Sequence, residues 1–205
     1  MGEAKQKQSN PKKSGALGVA DFLFDFLETF AIAVFVVLLV FTFFFRLCEV
    51  EGRSMENSFY DGQKLILSSF SYTPKQDDVV VFHITGEGYE KNLVKRVIAT
   101  GGQKVKIDFS TGEITVDGVL YADTHATLKD PYTDRITGSY SLFAQHDYDA
   151  ESKVFSATVP DGYVFVMGDN RNNSKDSRSS DLSFVDARCI LGKAILRLSP
   201  LTIYK

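Results

Sequence analysis

Lys95 stands in the run Leu93-Val94-Lys95-Arg96-Val97-Ile98. In a strand, Lys95 shares its face with Leu93 and Val97, while Arg96 points the opposite way with Val94 and Ile98. Apolar surroundings strip water from the ammonium form, and desolvation lowers a lysine pKa by up to about 3–5 units. An amine that is neutral near working pH is a general base. It can take the proton of a serine hydroxyl, which is otherwise a poor nucleophile. Taken alone the pattern is unspecific, because most strand lysines are solvated and a loop serine such as Ser54 is ordinary without its context.

Competing chemistries lack their signatures. There is no H-E-x-x-H, no paired C-x-x-C and no G-x-x-x-x-G-K-[ST], so zinc and nucleotide readings lose their best support. Cys48 and Cys189 are the only cysteines, too few for a disulfide framework or a four-ligand zinc site. Asp169-Asn170-Arg171-Asn172-Asn173-Ser174 resembles the start of a calcium loop, but Arg171 sits where a ligand belongs and Ser174 replaces the required glycine. The sequon Asn172-Asn173-Ser174 is too short to carry weight. His83 lies in the apolar run Val79–Ile84, and His125 and His146 lie in a polar stretch. None neighbours a nucleophile motif, so each reads as structural or exposed and a Ser-His-Asp triad has no support. No metal and no cofactor is expected.

The elements that must position this chemistry can be read next. The chain has 205 residues, 44% hydrophobic and 24% charged, with a net charge of −3. That suffices for a real core, is too apolar for disorder, and offers no basic footprint for nucleic acid. Nine of its 17 phenylalanines fall between Phe22 and Phe45, and the 17 residues from Thr29 to Phe45 are uncharged. As a helix they reach roughly 25 Å, enough to span a bilayer. A buried core helix or a cleaved signal peptide fits less well, since Phe43-Phe44-Phe45-Arg46-Leu47 has no small-residue cleavage site. Lys5, Lys7, Lys12 and Lys13 precede the span, which puts the N-terminus in the cytoplasm. Arg46, Arg53 and Lys64 on the other flank oppose that bias.

Three parts are therefore expected: a disordered cytoplasmic tail (1–16), an interfacial segment with a transmembrane helix (17–47), and an extracytoplasmic domain (48–205) with an insertion at about 103–158. That domain reads as strands at 63–69, 78–84, 93–100, 104–109, 113–121, 153–159, 163–167 and 189–198. Turn signals such as Asp61-Gly62, Gly101-Gly102, Asp117-Gly118 and Asp161-Gly162 separate them. The expected fold is mostly β: an antiparallel sheet domain with a small inserted β/loop subdomain, preceded by one N-terminal transmembrane helix. The polar stretch from about 122 to 151 reads as a flap.

Three segments carry a resemblance. Gly52-Arg53-Ser54-Met55, placed just past the span, is similar to the nucleophile box of bacterial type I signal peptidases, the membrane-anchored proteases that cut signal peptides from exported proteins. Leu93 to Ile98 is similar to their lysine box. Val159-Pro160-Asp161-Gly162, then Val164 to Arg171, then Ser174, Asp176, Ser177 and Arg178, resembles their third and most specific box. The stretch Tyr72–Phe82 also resembles the family's segment between the first two boxes, and the match covers the whole chain.

The resemblance implies Ser54 as nucleophile, neutral Lys95 as general base and the Ser54 backbone N–H as oxyanion donor. It implies that Ser174 hydrogen-bonds the Lys95 amine and that Asp176 pairs with Arg178 to hold the loop. No cofactor is implied, and the pockets would take small residues such as alanine at the first and third positions before the cut. Three departures stand out. Gly52 occupies the place of a serine found in some relatives, Asn57 stands where the family has proline, and Gln103 stands where an aspartate is common. The expected protein is a monomeric, single-pass membrane serine endopeptidase acting on signal peptides of exported preproteins at the bilayer surface. Ser54 lies nine residues past Phe45, within about 30 Å of the membrane even when extended. A catalytically silent relative serving as an assembly factor for surface proteins is the nearer alternative, opposed by the presence of both Ser54 and Lys95. A soluble Ser/Lys self-cleaving repressor is the farther one, opposed by the span.

Overall fold

The computed structural model describes residues 15–69, 72–86, 89–126, 149, 151–179 and 182–203. Most of the expected tail, most of the polar flap and His146 lie outside the described residues. Two compact units divide the chain, residues 1–43 and 44–205.

The described part of the first unit is helical, in α1 (Gly15–Phe44, 30 residues). Its stretch Gly18–Phe44 is long and apolar enough to cross a membrane. The turns that carry Asp21, Asp25 and Glu28 run into the apolar stretch without a break, since no proline interrupts them and the backbone ladder continues. Thr29 and Thr42 turn their hydroxyls back to the carbonyls of Asp25 and Leu38, at 2.8 and 2.7 Å, which hides two polar groups along an apolar helix.

The helix ends three residues earlier than the expected boundary at 47. Phe45–Glu49 is instead a strand, β1, whose five residues pair antiparallel with β2 (Lys64–Ser68). A partner strand therefore decides the conformation of a stretch whose composition alone favours continuing the helix. The remaining strands are β3 (Val79–Gly86), β4 (Tyr89–Thr100), β5 (Lys104–Asp108), β6 (Ile114–Val116), β7 (Val119–Leu120), β8 (Val154–Thr158), β9 (Tyr163–Met167), β10 (Val185–Asp186), β11 (Ile190–Leu198) and β12 (Leu201–Ile203). The single strand expected over 113–121 is a hairpin. Asp117 and Gly118, at φ +52° and +80°, form its two-residue turn, the left-handed pair that matches strand twist.

An eight-stranded sheet runs β1-β2-β11-β3-β4-β9-β10, with β12 on β11, and a four-stranded sheet runs β7-β6-β5-β8. All their pairings are antiparallel. The architecture is thus mostly antiparallel β with one N-terminal apolar helix. Counting pairings from β1 to β4, the two strands run the same way, and each has a free edge. Among the described residues β1 pairs only with β2, and β4 gives its far edge to β9 only from Arg96 onward. Ile98, Phe155 and Phe165 centre one core cluster, and Met55, Phe59, Leu65 and Val81 another.

Candidate active site

The loop joining β1 to β2 carries Ser54. Its ends are zipped by Val50 N–H to the Gln63 carbonyl and Gly62 N–H to the Val50 carbonyl, both 2.8 Å. Met55 and Phe59 plug it into the core beneath, and each such burial stabilises by about 1.5–3 kcal/mol. The hydroxyl is thereby presented on an anchored turn.

Lys95 comes from the centre of β4, opposite Val80 of β3. It is only 2% exposed, and its Nζ lies 2.6 Å from Ser54 Oγ and 3.0 Å from the Val94 carbonyl. Burial pushes its pKa down to about 8, aided by the charges of Lys91 and Arg178 and opposed by Asp176 and Asp169. When the amine is neutral the bond to Ser54 reverses and the hydroxyl donates to the nitrogen lone pair. That is the starting geometry for proton removal.

A third segment, the turn after β9, packs against both. Asp176 is fully buried and receives Arg178 through Nε and Nη2, both 2.8 Å, and the Gly168 N–H at 3.0 Å. Burial alone would raise its pKa; the Arg178 charge and these bonds hold it below the usual carboxylate range. Ser174 is not bonded to Lys95. Its buried Oγ acts instead on the Asp176 carboxylate, whose pKa it helps to lower, and it lies beside Gly168. The expected Ser174–Lys95 hydrogen bond is therefore not made in this structure, where Lys95 Nζ bonds Ser54 Oγ and the Val94 carbonyl.

Several charged groups important to this geometry had no role in the sequence reading. Arg96 reaches Asp169 with Nε at 2.9 Å and Nη2 at 2.7 Å, and Ser58 donates to the same carboxylate at 2.5 Å. The residue next to the lysine is thus tied, through one buried ion pair, to the loop that carries the serine. Asn170 closes the triangle: its N–H donates to the Ser54 carbonyl and its side chain to the Arg53 carbonyl, both 3.0 Å. The signal for these contacts lay in the third motif, whose run of charges is too dense for a loop to leave solvated. His83 pairs with Asn92 at 3.0 Å, and neither it nor His125 bonds Ser54.

The departures have local explanations. Gly52 N–H is bound to Asp61 Oδ1 at 2.6 Å, so it is not a second oxyanion donor. Gln103 accepts from Thr100 N–H at 3.0 Å and donates to Asp117 at 3.1 Å, capping a turn. Asn57 has φ +88°, a region closed to proline, whose ring fixes φ near −65°. Asn57→Pro is therefore expected to destabilise by ~3 kcal/mol or more, while Asn57→Gly leaves the thermal midpoint unchanged or raised; paired unfolding curves check this.

Between the free edges of β1 and β4 lies a groove of about 460 Å³, with Cys48, Leu67 and Leu191 among its lining. Glu51 and Lys91 approach to 3.7 Å, and both belong to this lining. Glu51 and Lys91 stand three and four residues before Ser54 and Lys95 in the chain.

A buried lysine thus contacts a loop serine on an antiparallel β scaffold. The family model described as signal peptidase, peptidase S26 matches residues 23–199, and the chain belongs to that family. Signal peptidase IB of Staphylococcus aureus is 29% identical over 188 residues, covering 89% of this chain and 93% of that protein. A probable signal peptidase I-1 of a Synechocystis species is 31% identical over 183 residues, covering 82% and 81%. The crystal structure of a signal peptidase I from Enterococcus faecalis shares 24% identity over 60% of this chain and 97% of that one, with a TM-score of 0.42.

Proposed function

We propose that this protein is a membrane-anchored serine endopeptidase that removes signal peptides from exported preproteins, with Ser54 as nucleophile and neutral Lys95 as general base. The observation that carries the reading is the 2.6 Å contact between Ser54 Oγ and an almost fully buried Lys95 amine. Lys95 takes the hydroxyl proton as Oγ attacks the scissile carbonyl, then returns it to the departing amine. The Ser54 backbone N–H, for which no acceptor is seen among the described residues, is the donor for the developing oxyanion. Asp176 with Arg178, and Asp169 with Arg96, hold the surrounding turns. Ser174 supports the Asp176 carboxylate beside them.

The precursor enters as an extended strand in the groove, where the free backbone edges of β1 and β4 offer hydrogen bonds to it. Both strands point at the dyad, so the bond cut is the one that reaches the groove's end. α1 anchors the chain with its Lys-rich start in the cytoplasm and the sheet domain outside. That arrangement brings the site to the surface from which membrane-held precursors are released.

Incubating the purified full chain with signal-peptide substrates and reading the cut positions by mass tests the activity. The pH profile tests the base. Because the Lys95 pKa is lowered from 10.5 to about 8, the neutral amine is depleted tenfold for each pH unit below 8. The kcat/KM is expected to rise about tenfold per unit up to about pH 8 and then level off. A profile flat between pH 6 and 8 removes Lys95 as the base.

A further inference from the structure

Arg171 is buried in the turn after β9, with 1% of its surface exposed. Its Nε donates to the Gly168 carbonyl at 3.0 Å and its own carbonyl accepts from Arg178 Nη2 at 2.8 Å. At the far end of the guanidinium stands Asp123, with Nη2 2.9 Å from Oδ1 and Nη1 in contact with Oδ2. Among the described residues Asp123 is the only carboxylate in ion-pair contact with Arg171. It lies just past β7, outside all three sequence motifs. Burial raises its carboxyl pKa and the Arg171 charge pulls the other way.

The turn that Arg171 braces is the one that touches the nucleophile. Asn170 N–H holds the Ser54 carbonyl, Asn170 Nδ2 holds the Arg53 carbonyl, and Gly168 packs against that same Ser54 oxygen. A buried guanidinium deprived of its counter-charge is strongly unfavourable and swings toward water. Its Nε would then pull away from the Gly168 carbonyl, and the turn would lose its brace.

We propose that Asp123 is a positioning residue for hydrolysis, acting through Arg171 to hold the turn Gly168–Arg171 against the backbone of Ser54. This rests on the reading of Ser54 as nucleophile. A purely structural Asp123–Arg171 pair predicts something different: lower stability, but normal turnover per folded molecule.

The test uses the full chain with a signal-peptide substrate, comparing wild type, Asp123→Asn, Arg171→Met and the doubly apolar Asp123→Leu/Arg171→Met. Wild-type cleavage is measured first, and its absence overturns the functional reading and this inference together. With an active wild type, Asp123→Asn is expected to lower kcat about 10- to 100-fold. KM should stay within about twofold, since neither Asp123 nor the turn lines the groove. Arg171→Met and the double variant should fall to similar kcat, because members of one unit are not additive. Unchanged kcat in folded Asp123→Asn, or losses that multiply in the double variant, overturns the proposal. Should Asp123→Asn fail to fold, the doubly apolar variant decides, since it leaves no orphaned charge. Wild-type kcat in that variant overturns the proposal, and a reduced kcat with wild-type KM supports it.

Discussion

Ser54→Ala and Lys95→Met should each abolish signal-peptide cleavage, and the double variant should be no worse than either. In the proposed dyad nucleophile and base act as one unit: without the amine the hydroxyl keeps its proton, and without the hydroxyl the amine has nothing to deprotonate. The expected loss is on the order of 10⁴-fold or more for each single change, with no further loss on combining them. Stability should move the opposite way for the lysine. At pH 7 Lys95 is mostly charged in both the folded and unfolded chain, so the folded state carries the full cost of a buried ammonium. The gap between 10.5 and about 8 corresponds to roughly 3 kcal/mol. Between those pH values the unfolded chain holds the proton and the folded one does not, so wild-type stability rises with pH across that window. Lys95→Met places an apolar chain of similar length in the same site and should raise the thermal midpoint at pH 7 while removing activity. A dead variant that is also less stable would mean that the charge is compensated in the fold and that Lys95 serves structure.

Periodicity and turn chemistry made most of the sheet legible in the sequence. Tyr163–Met167 and Lys104–Asp108 are short β-rich runs bounded by glycine turns, and local signals suffice for such runs. β1 was hidden because Phe45 to Glu49 follow an apolar helix without punctuation, and only pairing with β2 makes them a strand. β10 and β12 are two and three residues long, below the length at which alternation can be seen. At the site, Ser54 and Lys95 were readable through three ordered motifs, though they stand 41 residues apart. The braces were not. Asp169, Arg96 and Ser58 form one network across three segments, and nothing in any one segment names its partners. Ser174 is the instructive difference: the motif suggests a bond to the lysine, while the fold turns its hydroxyl toward the narrow space left by Gly168.

That space makes Gly168→Ala the most informative single-atom change in the protein. A Cβ at position 168 would lie 2.2 Å from Ser174 Oγ, 2.6 Å from Ser174 Cβ and 2.4 Å from the Ser54 carbonyl oxygen. A new rotamer could remove the first contact, but the other two involve a Cβ and a backbone oxygen, which move only with the chain. The Ser54 carbonyl is also held by Asn170 N–H at 3.0 Å, so pushing it away breaks that bond and shifts the nucleophile. Overpacking of this kind costs about 1–3 kcal/mol of stability, and a displacement near 1 Å at the reacting atoms costs about 100-fold in rate. Gly168→Ala is therefore expected to stay folded with a modestly lower thermal midpoint and to lose about 100-fold or more in kcat. Pairing it with Ser174→Gly separates the two contacts. Relative to Ser174→Gly alone, the added alanine no longer meets a side chain and still meets the Ser54 oxygen, so a large part of the kcat defect should persist. Full recovery in the pair would assign the whole effect to Ser174 and free the Ser54 backbone from any dependence on Gly168.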